Sequence, residues 1–141
     1  MMGTAEITVL RHRAHLSALA PARAALAAAR ERGGWDGEDG ARVMLVASEA
    51  LSNAIEHGSV PGARVELAVS VTPEGVDLVV RDAGRPGRRG WAPPGPPAPD
   101  SLRGRGLLIM RALADRLDLR AGEAGTELRL GFRRQGAAVP A

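Results

Sequence analysis

Residues 49–58 read Glu-Ala-Leu-Ser-Asn-Ala-Ile-Glu-His-Gly, the tail of a helical pattern that opens near Asp36 and is stopped by Gly58. Asp36 suits an N-cap and Gly58 a C-terminal breaker. Glu49 and Asn53 stand four residues apart and so share one helix face, with Glu56 and His57 one turn further on. A carboxylate followed by a neutral amide suits Mg²⁺, a hard cation that takes oxygen ligands and keeps water when it rides on phosphates. The carboxylate can then serve as a general base. An ordinary solvated face has the same spacing, so the pair alone does not decide between these.

Outward from this helix the pattern alternates. Residues 63–71 carry Val65, Leu67, Val69 and Val71 at every second place, and residues 76–81 return across a Thr-Pro-Glu-Gly turn, which predicts a hairpin. Residues 117–121 and 126–133 flank a Gly-Glu-Ala-Gly turn and predict a second one. Residues 5–11 read as a first strand and the Ala-rich residues 16–32 as a helix stopped by Gly33 and Gly34. Residues 106–116 resume a helical pattern. Six prolines between Gly84 and Gly104 exclude a helix or central strand there. That segment is expected to be a long loop, with a lid at about residues 85–103. The predicted architecture is one α+β domain over residues 1–141, its core at about 5–133 and a tail at 135–141. A mixed or antiparallel sheet carries helices on one face, a two-layer sandwich.

Composition narrows the chemistry. The chain has 141 residues, 45% apolar, with no cysteine, which excludes disulfides, thiolate metal sites and a cysteine nucleophile. All 19 basic residues are arginine, so no Walker A lysine exists and a P-loop NTPase is excluded. The arginines are scattered and the net charge is only +3, so direct nucleic-acid binding is not expected. No long uncharged apolar run suggests a membrane span, and residues 1–8 lack a signal-peptide layout. A cytoplasmic location is the expectation.

Three further segments have polar chemistry. Asp82 ends a predicted strand before Ala83-Gly84. A carboxylate there can accept from an exocyclic amine while the glycine lets backbone approach a flat ring, although Asp-x-Gly is also a common turn. Gly104-Arg105-Gly106 opens a predicted helix, where backbone amides can meet an anion; a plain hinge after the loop has the same composition. Thr126, entering the last strand, can add a hydroxyl beside Asp82 or serve only as a β-branched strand residue.

Taken in order, residues 49–58, Asp-Ala-Gly at 82–84, Gly-Arg-Gly-Leu-Leu-Ile-Met at 104–110 and Gly-Thr at 125–126 resemble the GHKL ATPase superfamily. More closely they resemble the anti-sigma-factor serine kinases of the RsbW type, over about residues 5–133. The resemblance implies a Bergerat-type sandwich that binds ATP and Mg²⁺. It implies Glu49 as catalytic base and Asn53 as Mg²⁺ ligand. Asp82 would read the adenine amino group, with Thr126 nearby and Gly84 allowing close approach to the base. Arg103, Gly104, Arg105, Gly106 and Leu107 would frame the phosphates. The implied activity is phosphorylation of a serine on a STAS-type anti-sigma antagonist, coupled to sequestration of a sigma factor. A homodimer is implied as well, with the alternating Ile7 and Val9 available at a sheet edge or symmetric interface. The alternative is a nucleotide-gated partner-switch module without kinase activity.

Overall fold

The structure is a computed structural model that describes residues 6–58, 60–84, 102–122 and 124–135. The chain runs β1 (Glu6–Arg13), a 3₁₀ turn (Leu16–Ala18), α1 (Leu19–Arg32), α2 (Gly37–Asn53), a π-helical turn (Ala54–Gly58), β2 (Arg64–Val71), β3 (Gly75–Asp82), α3 (Leu102–Leu113), β4 (Arg116–Gly122) and β5 (Gly125–Arg133). Five strands form one sheet in the order β1-β2-β3-β5-β4. Every neighbouring pair is antiparallel, so the sheet is antiparallel throughout, without a mixed pairing.

Period-2 patterning sets the two faces. Leu67, Val80, Leu128 and Leu119 stand in one register row across β2, β3, β5 and β4. They and their alternate neighbours join Val43, Val46, Ala47, Ala50 and Leu51 of α2 and Ala22, Leu26 and Ala29 of α1 in a single core. A fully buried Leu contributes roughly 1.5–3 kcal/mol relative to exposure, so this row and the α2 stripe hold the layers together. The other face is polar. Arg11 pairs with Glu66 at 3.1 Å, Glu66 with Arg81 at 3.0 Å, and Arg81 with Glu127 at 2.8 Å, an ion-pair ladder running from β1 to β5.

The α1–α2 corner is fixed by fit. Gly33 ends α1 where any Cβ would lie 2.1 Å from Val71 Cγ1. Trp35 is fully buried behind it and donates its indole N–H to the Thr72 carbonyl at 2.8 Å, which ties the corner to the β2–β3 turn. Asp36 occupies the N-cap position of α2 but makes no capping hydrogen bond. Its carboxylate instead faces Arg30 at 3.8 Å, and Glu38 and Asp39 supply negative charge to the first turn.

Three boundaries differ from the pattern reading. α2 ends at Asn53, and residues 54–58 widen into the π turn in place of a continuous helix to His57. α3 starts at Leu102 and ends at Leu113, so Leu102 and Arg103 belong to a helix and Arg116 to a strand. Asp115 explains the early stop: its carboxylate accepts the Arg133 amide, and its own amide binds the Gly131 carbonyl, which turns the chain into β4. The lid proper, residues 85–101, lies outside the described residues, as does the tail from 136.

Candidate nucleotide site

The site residues gather at one end of the sheet in two groups. The first is built by β3 and β5. Register pairs Asp82, the last residue of β3, with Thr126 near the start of β5. Both are buried. Asp82 Oδ1 accepts the Gly84 amide at 2.9 Å and the Thr126 amide at 3.1 Å. Two backbone donors therefore fix the carboxylate, and the first closes an Asx-type turn that sends the chain away from the sheet. Gly84 has φ 76°, a left-handed conformation that glycine adopts without a Cβ penalty. The Thr126 hydroxyl is buried with no hydrogen-bond partner among the described residues.

Gly125 stands in the quoted Gly-Thr block, but the sequence reading gave it no role of its own. Its φ is 125°, and a Cβ there would fall 2.0 Å from the Asp82 carbonyl oxygen. The β5 backbone can approach Asp82 only because position 125 has no side chain. Its signal in the sequence was the Gly-Thr dipeptide itself. A cavity of about 430 Å³ opens here, lined by Asp82, Gly125 and Thr126 together with Ala121, Arg81 and Arg120. That is within the size range of small-ligand pockets.

The second group is built by α2 and α3. Asn53 is buried at the last turn of α2, and Glu49 is half-buried one turn before it. Gly106 of α3 lies directly against both: a Cβ at 106 would sit 2.9 Å from Glu49 Oε2 and 3.3 Å from Asn53 Nδ2. Asn53 Nδ2 is buried without a hydrogen-bond partner among the described residues. Such a group costs roughly 1–3 kcal/mol until an acceptor arrives. Gly104 and Gly106 are inside the first turns of α3, not ahead of it, so the anion-facing amides would be those of the helix's own N-terminus. Arg103 and Arg105 are placed in the same turn; their side chains, and that of His57, lie outside the described residues. Leu107 packs on the core.

Arg42 holds the other end of α3. It donates to the Leu113 carbonyl at 2.6 Å and to Asp115 at 3.2 Å, and pairs with Asp39 at 3.1 Å. α2 and α3 thus meet at Arg42–Leu113 and at Glu49–Gly106. The order of these contacts makes the helices antiparallel, and the N-terminus of α3 is presented to Glu49 and Asn53.

The two groups share one end of the molecule, with the π turn that follows Asn53 packed against β3. The 430 Å³ cavity belongs to the Asp82–Thr126 group, and Glu49 and Asn53 do not line it. Among the described residues no cluster of three or more His, Asp or Glu side chains could cage a metal. A Mg²⁺ ion would have to ride on ligand phosphates, with Asn53 as a protein contact. The donor set fits that arrangement: Asn53 Oδ1 and the Glu49 carboxylate are oxygen ligands, the buried Asn53 Nδ2 can donate to a phosphate oxygen, and α3 offers its N-terminus.

A family model described as a histidine kinase-like ATPase domain matches residues 12–132. Among solved structures, the chain is similar to the RsbU and RsbW domains of Rv1364c from Mycobacterium tuberculosis, with TM-score 0.69 and 21% identity over 91% of this chain and 32% of that one. It is also similar to the histidine kinase domain of the Erythrobacter litoralis EL346 blue-light activated histidine kinase, with TM-score 0.51 and 23% identity over 83% of this chain and 59% of that one. The chain spans about a third of the length of the first of these. No curated protein matches it in sequence. None of the described helices is long and apolar enough to cross a membrane.

Proposed function

The chain belongs to the histidine kinase-like ATPase domain family, and from that premise we propose that it is an ATP-dependent protein serine/threonine kinase of the anti-sigma-factor type. It would phosphorylate a STAS-type antagonist and, in its nucleotide-bound form, sequester a sigma factor. A homodimer formed through the open outer edge of β1 belongs to the same reading. The observation that carries the proposal is the meeting of Glu49 and Asn53 with Gly106 at the start of α3, beside a buried amide that lacks an acceptor.

Each residue then has a task. Asp82, fixed by two amides, accepts from the adenine amino group, and the Thr126 hydroxyl supplies a second polar contact. The α3 N-terminus, with Gly104, Gly106 and the charges of Arg103 and Arg105, stabilises the phosphates. Asn53 orients the metal-bearing phosphates; Mg²⁺, when bound, supplies neutralisation of phosphate charge. Glu49 takes the proton from the antagonist's serine hydroxyl as its oxygen attacks the γ-phosphorus and ADP leaves.

The second reading, a nucleotide-gated binding module without transfer activity, draws on Asp82-Ala-Gly-Arg-Pro-Gly87, where the second glycine comes one place later than in the family's usual Asp-x-Gly-x-Gly. One experiment separates the two: incubation with radiolabelled ATP, Mg²⁺ and the antagonist encoded beside this chain. Label on the antagonist supports the kinase. ATP-dependent sigma binding without label overturns the kinase in favour of the module. Absence of ATP binding by calorimetry removes both.

A further inference from the structure

The helix-free face of the sheet is uneven in charge. At the end that carries Asp82 and Thr126, register places Arg13 directly opposite Arg64 on β1 and β2. The next row on the same face holds Arg11, Glu66, Arg81, Glu127 and Arg120 across all five strands. This corner therefore has five arginines against two carboxylates, an excess of three positive charges. The whole chain's net charge is also +3.

The local pairing does not satisfy these cations. Glu66 and Glu127 are each shared between arginines, Glu66 by Arg11 and Arg81, Glu127 by Arg81 and Arg129. Among the described residues Arg13 reaches a carbonyl, that of Gly62, at 3.2 Å, and no carboxylate. Arg64 is exposed and has no ion-pair partner among the described residues. Like charges directly opposite on a sheet destabilise it. Arg120 is 78% exposed and stands 3.8 Å from its nearest carboxylate, Asp118. Arg81 and Arg120 also line the 430 Å³ cavity.

We propose that this corner of the outer sheet face docks an acidic protein segment. Carboxylates of the partner would neutralise the Arg13–Arg64 pair and the exposed Arg120. A nucleic acid fits less well. No aromatic side chain is present among the described residues of this face to stack a base. A second copy of the chain would bring the same cationic corner against its own image across a two-fold axis. The inference deepens the partner-switch reading by naming the surface that receives a protein partner, and it rests on that reading for its biological use.

The test titrates a labelled oligoglutamate peptide with the full chain by fluorescence anisotropy, alongside single-stranded DNA of matched charge. Calorimetric ATP titration of the same samples keeps the two ideas apart. The peptide is expected to bind more tightly than the DNA, and the double variant R13E/R64E to lose about tenfold or more in peptide affinity. R116E, on the same face at the far end of β4, should leave peptide binding unchanged. Tighter binding of DNA, no peptide binding, or an equal loss in R116E overturns the proposal. So does sedimentation showing that R13E/R64E splits a wild-type dimer, because the corner would then be a self-interface. Intact ATP binding with an indifferent corner removes this inference alone; peptide binding without any ATP binding removes the nucleotide reading alone.

Discussion

The two halves of the proposed nucleotide site are built by different means. At the base end, Asp82 is held by strand register and two backbone amides, and Gly125 is pressed against its carbonyl. At the phosphate end, Glu49 and Asn53 stand on α2 and meet α3 side chain to backbone at Gly106. The first is backbone geometry, which a cooperative sheet keeps fixed with or without ligand. The second is a helix–helix contact whose buried amide still lacks an acceptor. Under the proposed function, recognition belongs on the sheet and transfer between the helices, where a ligand can still change the contacts. Mutations should divide along that line.

The largest effect is expected at Glu49. If it is the general base, Glu49→Ala lowers phosphoryl transfer by roughly 10²- to 10⁴-fold with ATP affinity nearly unchanged. Asn53→Ala should weaken Mg²⁺–ATP binding itself. Single-turnover transfer and calorimetry on both variants check this. If both variants lose both properties equally, the phosphate end is no more separable than the base end.

Next comes Gly125→Ala. A non-glycine residue at φ 125° is strained, and its Cβ would collide with the backbone at Asp82. A loss of about 2–4 kcal/mol in unfolding free energy is expected, with ADP affinity falling alongside. Urea unfolding gives the first and calorimetry the second. Retained stability would show that the base end can yield, contrary to the contrast drawn above. Asp82→Asn should be more selective. Its remaining oxygen can still accept the Gly84 and Thr126 amides, so the fold survives. The new amide, however, presents a donor to the adenine amine. About 1.5–3 kcal/mol of ADP binding should disappear, tenfold or more in Kd. Unchanged ADP affinity would take Asp82 out of the base pocket.

How far all this could be read from the sequence follows the same division. The strands were legible because period-2 alternation in residues 63–71 and 76–81 is local and the Gly-bearing turns are short. Asp82, Gly84, Glu49 and Asn53 were legible because their neighbours form ordered blocks. The end of α2 was not: an α-helix and a π turn share the same apolar spacing over five residues, and only the packing of residues 54–58 on β3 separates them. The start of α3 was hidden because Gly104 and Gly106 look like helix breakers. Their intrinsic cost is about 1 kcal/mol each, and at 106 the missing side chain leaves Glu49 and Asn53 room against α3. Gly125 was hidden for a similar reason, since its role depends on a carbonyl 43 positions earlier in the chain.

Gly106→Ala puts the two requirements at this position in opposition. Alanine favours the helix by up to roughly 1 kcal/mol. Its Cβ also reaches Glu49 Oε2, the far end of a flexible side chain that can swing aside. Stability should stay level or rise slightly while transfer falls severalfold, the opposite pattern to Gly125→Ala. Matched melting curves and transfer rates decide it. A variant that transfers normally would mean that Glu49 need not hold its observed position.

The smallest effect tests whether the outer face is independent of the site beneath it. Hydrogen bonds from Arg129 and Arg81 hold the Glu127 carboxyl below its ordinary value of 4.5, against the opposing effect of burial. With the folded value depressed, the stabilisation is fully present above the unfolded pKa near 4.5 and is lost as pH falls through the lower folded value. Glu127→Gln should therefore be slightly less stable than wild type at neutral pH, and the gap should close in acid. Because the ladder is partly open to solvent, added salt should narrow the gap as well. Chemical denaturation across pH at two salt concentrations measures both. Glu127 lines the 430 Å³ cavity beside Thr126, but its carboxylate is held by Arg81 and Arg129 on the outer face, so ATP affinity should not move. If it does, charge on the outer face reaches the base end through that shared cavity.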